Sequence, residues 1–211
     1  MELQSIQERL IEIINLSYKI FEARVVNNTI GDFENEASMQ LQLGVILKDV
    51  GLLYEWKEQD KFIIRFEQKF NLKEPTSKST NGKARCDIYL ELKTTNQNNE
   101  EEKYRIGIEL KYLPKSEGEA TTGNRIAILE DIQNLEYYKK SHHIDAGYAI
   151  VYTTNYNYAD PNTRSKMNIG CDVKVISRDP KYEVELKEDH TFHWDIYPAA
   201  DKKHCFLKVE I

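Results

Sequence analysis

Apolar residues recur at intervals of three, four and seven in two N-terminal stretches, which is the spacing of amphipathic helices. The first runs from about Leu3 to Ala23 and is expected to serve packing, and the second runs from about Phe33 to Asp49. Gly51 is expected to end the second helix. Glu36 and Gln40 stand one turn apart near its start, so their side chains point the same way. They fit either a solvated pair at a helix start, where the helix dipole favours an acid, or part of a site.

Beyond Gly51 the sequence becomes rich in strand-forming residues. Two such stretches, Leu53 to Glu58 and Phe62 to Phe70, are separated by a charged turn and predict a hairpin. The next segment, Asn71 to Lys83, is rich in Pro, Ser, Thr, Asn, Gly and Lys and predicts a loop. Between residues 69 and 85 five cations stand against one acid, Glu74, and these cations are Lys69, Lys73, Lys78, Lys83 and Arg85.

Strict alternation of apolar and polar residues predicts two strands that form a second hairpin. In Arg85 to Lys93, reading RCDIYLELK, Asp87 belongs to the polar face. In Tyr104 to Leu113, reading YRIGIELKYL, Glu109 and Lys111 are neighbours on the polar face. A polar, acidic stretch between the strands has the composition of a hairpin tip. Asp87 and Glu109 can therefore face the same way from adjacent strands.

The remaining pattern predicts a helix from about Asn124 to Lys140 and a fully apolar strand from Ala146 to Thr153, which with the preceding strand makes a βαβ unit. After Pro161 four short strand-like runs are expected to extend or flank the sheet: Cys171 to Ile176, Tyr182 to Leu186, Phe192 to Tyr197 and Cys205 to Ile211. The chain thus reads as one α/β domain over residues 1–211. It comprises a packing helix at 3–23, a core at about 33–153 and a β-rich extension at 161–211.

Net charge, the length of apolar stretches and the spacing of cysteines exclude several classes of protein. A net charge of −6 argues against a protein that coats nucleic acid nonspecifically, because such binding depends on many cationic contacts to phosphates. No stretch approaches the roughly 20 apolar residues that a membrane helix needs, so we expect a cytoplasmic protein without a membrane partner. The three cysteines, Cys86, Cys171 and Cys205, stand far apart without any Cys-x-x-Cys pair. Buried thiols are expected, and neither a disulfide framework nor a zinc site is supported.

The candidate metal-binding and catalytic residues lie on the polar face of the second hairpin. Two carboxylates that converge from neighbouring strands repel each other unless a positive charge lies between them, and a divalent cation supplies it. Mg²⁺ suits Asp87 and Glu109 because it prefers oxygen ligands and keeps several waters; the backbone carbonyl of Leu110 is expected to complete the protein ligands, and Mn²⁺ to substitute. Lys111 points to the same place, where its amine could orient a water or stabilise a phosphate oxygen. Gly107, on the same face, is expected to leave room for a ligand. These parts predict hydrolysis of a phosphodiester.

This arrangement resembles the PD-(D/E)XK nuclease superfamily, the restriction-endonuclease-like nucleases. Asp87 in CDIYL matches the first metal-binding acid of that superfamily, and Glu109-Leu110-Lys111 matches its E-x-K element. The order of elements over roughly residues 33–153 agrees as well. The proline that names the superfamily is absent, and Arg85 and Cys86 precede Asp87 instead. The resemblance implies an α/β fold with a restriction-endonuclease-like core, in which helices flank a central mixed β-sheet.

The resemblance also implies roles for individual residues. Glu36 is similar to the helix acid that assists the metal or orients the lysine, and Gln40 would neighbour it. Gln133 and Tyr137, in QNLEY, resemble the Q-x-x-x-Y element of the RecB-like branch, in which a glutamine amide and a phenol hold a phosphate or a base edge. A packed tyrosine at a helix boundary is the alternative for that pair. The cysteines of an iron–sulfur cluster are absent. Lys78, Lys83 and Arg85 are expected to meet phosphates.

The sequence therefore predicts a Mg²⁺-dependent deoxyribonuclease with Asp87, Glu109, Lys111 and Glu36 as its catalytic residues. An endonuclease for restriction or repair is placed first, and a restriction enzyme would commonly be a homodimer. Two alternatives stay open. One is a nucleic-acid-binding or assembly module that kept the fold and lost the reaction, and the other is a RecB-like exonuclease. Recognition sequence and pathway do not follow from these residues.

Overall fold

The described residues form three α-helices and eight strands. The computed structural model describes residues 4–72, 83–95, 98–113, 122–162, 169–170, 174–175, 184, 186–187, 189–200 and 202–211. Its helices are α1 (Ile6–Val26), α2 (Glu36–Leu52) and α3 (Thr122–Lys140). Its strands are β1 (Lys61–Asn71), β2 (Lys83–Thr95), β3 (Glu101–Leu113), β4 (Ala146–Thr153), β5 (Lys174–Val175), β6 (His190–Thr191), β7 (Trp194–Pro198) and β8 (Lys203–Glu210).

Six of these strands form one sheet in the order β1-β2-β3-β4-β8-β7. Neighbouring strands are antiparallel except β3 and β4, which are parallel because α3 connects them. The short strands β5 and β6 pair separately. The prediction of a mixed α/β fold with helices flanking a central sheet is therefore confirmed at this level.

The sheet has a core on each face. Apolar side chains of α1 and α2 pack on one face, where Ile106, Ile108 and Leu110 of β3 are buried. Apolar side chains of α3 pack on the other face, together with Cys86 and Tyr89 of β2. Because side chains alternate along a strand, the odd-numbered residues of β3, which include Glu109 and Lys111, face α3. The period-two pattern of the sequence thus sets which face carries the polar groups.

Helix α2 begins at Glu36, three residues after the predicted start at about Phe33, and a capping box fixes this beginning. The Asn35 side chain accepts from the Ser38 amide, and the Ser38 hydroxyl accepts from the Asn35 amide. Gly51 does not end this helix, because α2 continues to Leu52. A Cβ on Gly51 would lie 2.3 Å from the Phe62 ring, so this glycine allows β1 to approach the helix closely.

The prediction of a strand at Leu53 to Glu58 is wrong, as is the hairpin built on it. Residues 53–60 form turns, and β1 pairs with β2 instead. The buried carboxylate of Asp60 organises this segment by accepting the amides of Trp56 and Lys57, both at 3.0 Å. The Arg9 guanidinium of α1 donates to the same carboxylate at 2.6 Å and to the Tyr54 carbonyl at 2.9 Å. These contacts occupy the Tyr54 carbonyl and the Trp56 and Lys57 amides, which a β-strand would use to pair with its neighbour.

Some predicted loops and strands lie partly outside the described residues. Of the predicted loop Asn71 to Lys83, residues 73–82 with Lys78 lie outside the described residues, and Asn71 and Lys83 pair with each other at the strand ends. The predicted strand at 171–176 is described only at 174–175, and that at 182–186 only at 184 and 186. Strand β8 extends the sheet beside β4, as the last predicted strand would.

The structure locates two of the three cysteines. Cys86 and Cys205 are buried and free, as predicted, and Cys171 lies outside the described residues. Among the helices of the described ranges, none combines the length and the apolar composition needed to cross a membrane.

The buried pair of Arg9 and Asp60 yields a prediction about stability. Replacing Arg9 by Met leaves the Asp60 carboxylate buried without its cation, which should lower the free energy of unfolding by about 3–5 kcal/mol. Arg24→Met, at an exposed position of the same helix, should change it by less than about 0.5 kcal/mol. Urea denaturation at pH 7 measures both values, and equal midpoints for the two variants would contradict the assigned role.

The same pair should make stability depend on pH. Burial opposes ionisation of Asp60, but hydrogen bonds from Arg9, Thr94 and Lys57 outweigh it and lower the pKa of this carboxyl. A lowered folded pKa gives stabilisation that is fully present above the unfolded value, ~3.9, and is lost as the pH falls through the folded value. The stability difference between the wild type and Arg9→Met should therefore shrink below about pH 4.

Candidate functional site

Strands β2 and β3 part at the position of the two predicted metal-binding acids. Their pairing runs from Thr95–Glu101 to Ile88–Ile108 and ends there. Beyond this point β2 stays with β1, and β3 stays with β4 as far as Leu113. The next residues in the same register are Asp87 and Glu109, which therefore face each other at the point where the two strands separate. This point of separation is called the parting below.

Carboxylates take the place of the missing strand partner along β3. The Asp87 carboxylate accepts the Leu110 amide at 2.7 Å, and the Glu36 carboxylate accepts the Tyr112 amide at 3.2 Å. The N–H and C=O of one strand residue point to the same side, so the Leu110 carbonyl also faces the parting. The structure thus places the Asp87 and Glu36 carboxylates against the backbone of β3 at Leu110 and Tyr112, next to Glu109 in the chain. Convergence of the Asp87 and Glu109 carboxylates on one ion stays a prediction.

Glu109 is deeply buried, with 2% of its surface exposed. The phenol of Tyr138 and the thiol of Cys86 lie beside it. Burial, followed by the negative charges of Glu109 and Asp87, raises the pKa of the Cys86 thiol well above its usual value. Burial and then the charge of Glu109 likewise raise the pKa of Tyr138. Both groups are therefore neutral near pH 7, and Tyr138 can act as a hydrogen-bonding neighbour of the carboxylate.

The amine of Lys111 is held between two further acids. Its Nζ lies 3.2 Å from Glu36 Oε2 and 3.6 Å from Asp131 Oδ2. The Lys111 side chain is 20% exposed and that of Asp131 only 3%. This geometry fixes the amine on the same face of β3 as Glu109, two residues away.

Sequence reasoning missed Asp131 and Tyr138. They lie on α3 seven residues apart, so both project from the same face of the helix. That face packs on the sheet, because Ile128 and Leu135 beside them are fully buried. An acid at such a position needs a partner, and this was the available signal. The sequence does not say that the partner is Lys111, because that contact depends on how α3 packs on β3.

Gln40 and Arg85, both predicted to bind substrate, make contacts within the protein. Gln40 Nε2 donates to the Asp87 carbonyl at 2.7 Å and to Glu67 Oε1 at 3.2 Å. Arg85 is exposed and its guanidinium lies 2.9 Å from Glu67 Oε2. Glu67 has φ of 55°, a left-handed conformation that is rare for a side chain of this size, and it faces Asp87 where the β1–β2 register is interrupted. The structure therefore gives Gln40 the task of positioning Asp87.

The remaining predicted substrate-binding residues do not join the acids directly. Gln133 is buried within α3, with 7% of its surface exposed. Tyr137 is half-buried and lines cavities at the end of that helix. Lys83 opens β2, and Lys78 lies outside the described residues. The expectation that Gly107 leaves room for a ligand is wrong, because a Cβ there would lie 3.1 Å from Ile144 Cδ1 and 3.2 Å from Cys86 Sγ.

The donor atoms at the parting have the chemistry of a hard-cation site. Asp87 and Glu109 offer carboxylate oxygens and Leu110 a carbonyl oxygen, and Mg²⁺ is held in proteins by one or two carboxylates with several waters. Within the described ranges, His, Cys, Asp and Glu side chains form no group of three or more arranged to hold a metal ion. A cation here would thus depend on two acids and backbone oxygen.

Amide exchange tests whether carboxylates replace the strand partner. Asp87→Ala should speed hydrogen exchange at Leu110, and Glu36→Ala should speed it at Tyr112, each roughly 5- to 150-fold, because a partly buried donor loses its acceptor. The amide of Ile106, whose residue pairs with Leu90, should be unaffected. Asp49→Ala, at an exposed acid of α2, is the control for Glu36→Ala. Unchanged exchange at Leu110 and Tyr112, measured by NMR, would contradict the assignment.

No family model, no curated protein and no solved structure matches this chain. Support for a function comes from the site where β2 and β3 separate. Asp87 and Glu109 face each other there, two more acids hold the Lys111 amine, and backbone groups of β3 lie between them.

Proposed function

We propose that this protein is a magnesium-dependent endonuclease that hydrolyses phosphodiester bonds of DNA. The proposal rests on the placement of Asp87, Glu109 and Lys111 where the β2–β3 ladder ends. Asp87 contacts the backbone next to Glu109, and the Lys111 amine is fixed on the same face of β3. Carboxylates, an amine and a half-buried setting are the parts that phosphodiester hydrolysis requires.

Asp87, Glu109 and the Leu110 carbonyl would hold the metal ion. A bound Mg²⁺ supplies positive charge to a phosphate oxygen and lowers the pKa of water. The chain prepares this position by its own contacts. Gln40 fixes the Asp87 backbone and the Leu110 amide fixes the Asp87 carboxylate, so the acid is held before any ligand arrives. Tyr138, kept neutral by burial and by Glu109, orients the other carboxylate.

Lys111 would act on the attacking water and on the phosphate. Its ammonium can stabilise negative charge on a non-bridging oxygen as water adds to phosphorus and the bond to the leaving nucleotide breaks. Glu36 and Asp131 hold the amine in place, because ion pairs on two sides restrict a flexible four-carbon chain. Asp131 is therefore added to the predicted set as a residue that positions Lys111.

The cationic segment from residue 69 to 85 supports a nucleic acid as substrate. Lys83 and Arg85 belong to β2, only two to four residues from Asp87, and Arg85 is exposed. A strand rises about 3.3 Å per residue, so these positions lie within about 15 Å of the acids. Contacts from such cations to phosphates would draw a DNA backbone towards the parting. A homodimer, as expected for a restriction enzyme, would present two such sites to one duplex.

Cleavage by a Lys111 variant tests the mechanism. Lys111→Ala should slow cleavage of plasmid and of single-stranded DNA, with Mg²⁺ or Mn²⁺, by about 100-fold or more, because one charged group at the reacting phosphate is lost. Lys103→Ala removes an exposed lysine from the other end of β3 and should cleave like the wild type. Equal cleavage by Lys111→Ala and Lys103→Ala would overturn the role given to Lys111.

Calorimetry separates the enzyme from a binding module that lost the reaction. The wild type should bind Mg²⁺ or Mn²⁺, and Asp87→Asn should abolish the binding heat because one of two carboxylates becomes a neutral amide. Asp49→Asn, at an exposed acid on α2, should leave the heat unchanged. Absence of metal binding to the wild type, with DNA present, would instead favour the binding module.

A further inference from the structure

The end of α3 forms a cavity of about 330 Å³ that contains no part of the acid cluster. The last turn of α3 contributes Tyr137 and Lys140, and the end of β1 contributes Asn71 and Leu72. The turn after the helix completes the wall with Ser141, His142 and His143. Among the described residues that line it, none is acidic, whereas an ammonium and two imidazoles are present.

A second cavity of about 270 Å³ adjoins the first, because Tyr137 and Lys140 line both. It adds Lys139 and Lys187. Its acid, Glu136, is already engaged, since its carboxylate accepts the Lys187 amide at 2.9 Å and lies 3.4 Å from His190 Nε2. The ammonium groups of Lys139, Lys140 and Lys187 form no ion pair within the described part of the chain. Among the described lining residues of the two adjoining cavities, which are together called the groove, the lysines outnumber the one acid, Glu136.

Tyr137 stands at the junction of the two cavities. Consecutive helix residues point about 100° apart, so Tyr137 and Tyr138 face different neighbours. Tyr138 is buried beside Glu109, whereas Tyr137 is half-buried, and no hydrogen bond of its hydroxyl and no aromatic partner of its ring is found among the described residues. An aromatic ring that lines a cavity offers a surface for stacking.

The wall of the groove is rigid. His143 stacks on Phe70 at 4.9 Å, and its Nε2 lies 3.3 Å from the Asn71 carbonyl. His142 has φ of 57° and its carbonyl accepts from the Arg105 guanidinium at 2.8 Å. A non-glycine residue in this conformation persists only where its surroundings hold it, so the turn is fixed before a ligand binds.

We propose that this groove binds one unpaired nucleotide of a DNA single strand, with its base stacked on Tyr137 and its phosphates on Lys139, Lys140 and Lys187. The partner class rests on the proposed function. Cationic grooves with an aromatic ring at their centre are the usual means of holding unpaired nucleic acid. A duplex does not fit, because its bases are stacked inside and a concave cavity at the low end of ligand-site volumes admits only a single unit.

Binding without cleavage tests the groove by itself. A fluorescein-labelled single strand of about 12 nucleotides is titrated with the full chain in EDTA, and fluorescence anisotropy gives the affinity. Tyr137→Ala should weaken binding roughly 5- to 100-fold, the loss of one base–aromatic stack, while Tyr137→Phe should bind like the wild type. Lys140→Ala should weaken binding and reduce the slope of log affinity against log salt by about 0.7. Lys48→Ala, an exposed lysine of α2 on the opposite face of the sheet, is the control.

The outcomes separate this inference from the nuclease proposal. Loss of binding by Tyr137→Ala and Lys140→Ala, with native circular dichroism, supports the groove even if the wild type cleaves nothing. Wild-type affinity in both variants overturns the groove even if the wild type cleaves DNA. Equal weakening by Lys48→Ala would also overturn it, because binding would then follow overall charge.

Discussion

The early end of the β2–β3 ladder is the constraint on which the site depends. A strand amide that loses its neighbour inside a protein must find another acceptor, or its desolvation is uncompensated. On β3 the acceptors are the carboxylates of Asp87 and Glu36. This requirement links the start of α2, the course of β2 and the position of Lys111. Backbone groups and acids are thereby assembled in one place by the needs of the fold.

The charges at this place do not balance. Glu36 and Asp131 hold the Lys111 amine, and Asp87 and Glu109 add two further carboxylates where the β2–β3 ladder ends. Like charges in a half-buried setting repel each other. The raised pKa values of Cys86 and Tyr138 come first from burial and then from the negative charges of Glu109 and Asp87. A further cation would relieve the repulsion, which is the physical reason to expect a metal ion here. The groove at the end of α3 differs, because the described residues that line it are mainly cationic or neutral.

Period-two patterning was sufficient to predict β2, β3 and the facing of Asp87 and Glu109, because alternation fixes which residues share a face. The existence of helix α2, with Glu36 near its start, followed from the spacing of apolar residues. The stretch Leu53 to Glu58 could not be predicted, since its conformation is decided by Arg9, some fifty residues earlier in the chain. Asp131 and the packing around Gly107 were missed for a similar reason, as both depend on how elements distant in sequence come together.

Glu67 also affects the exposed edge of the sheet at β1. Strand β1 is one of the two edge strands, so one of its sides presents N–H and C=O groups that no neighbouring strand of the described sheet covers. Regular exposed edges invite pairing with a second chain and lead to aggregation. The left-handed backbone at Glu67 breaks the regularity of this edge, and the exposed cations Lys61, Arg65 and Lys69 repel an identical strand. The residue that contacts Gln40 and Arg85 beside the acids thus also interrupts the edge along which a second chain could pair.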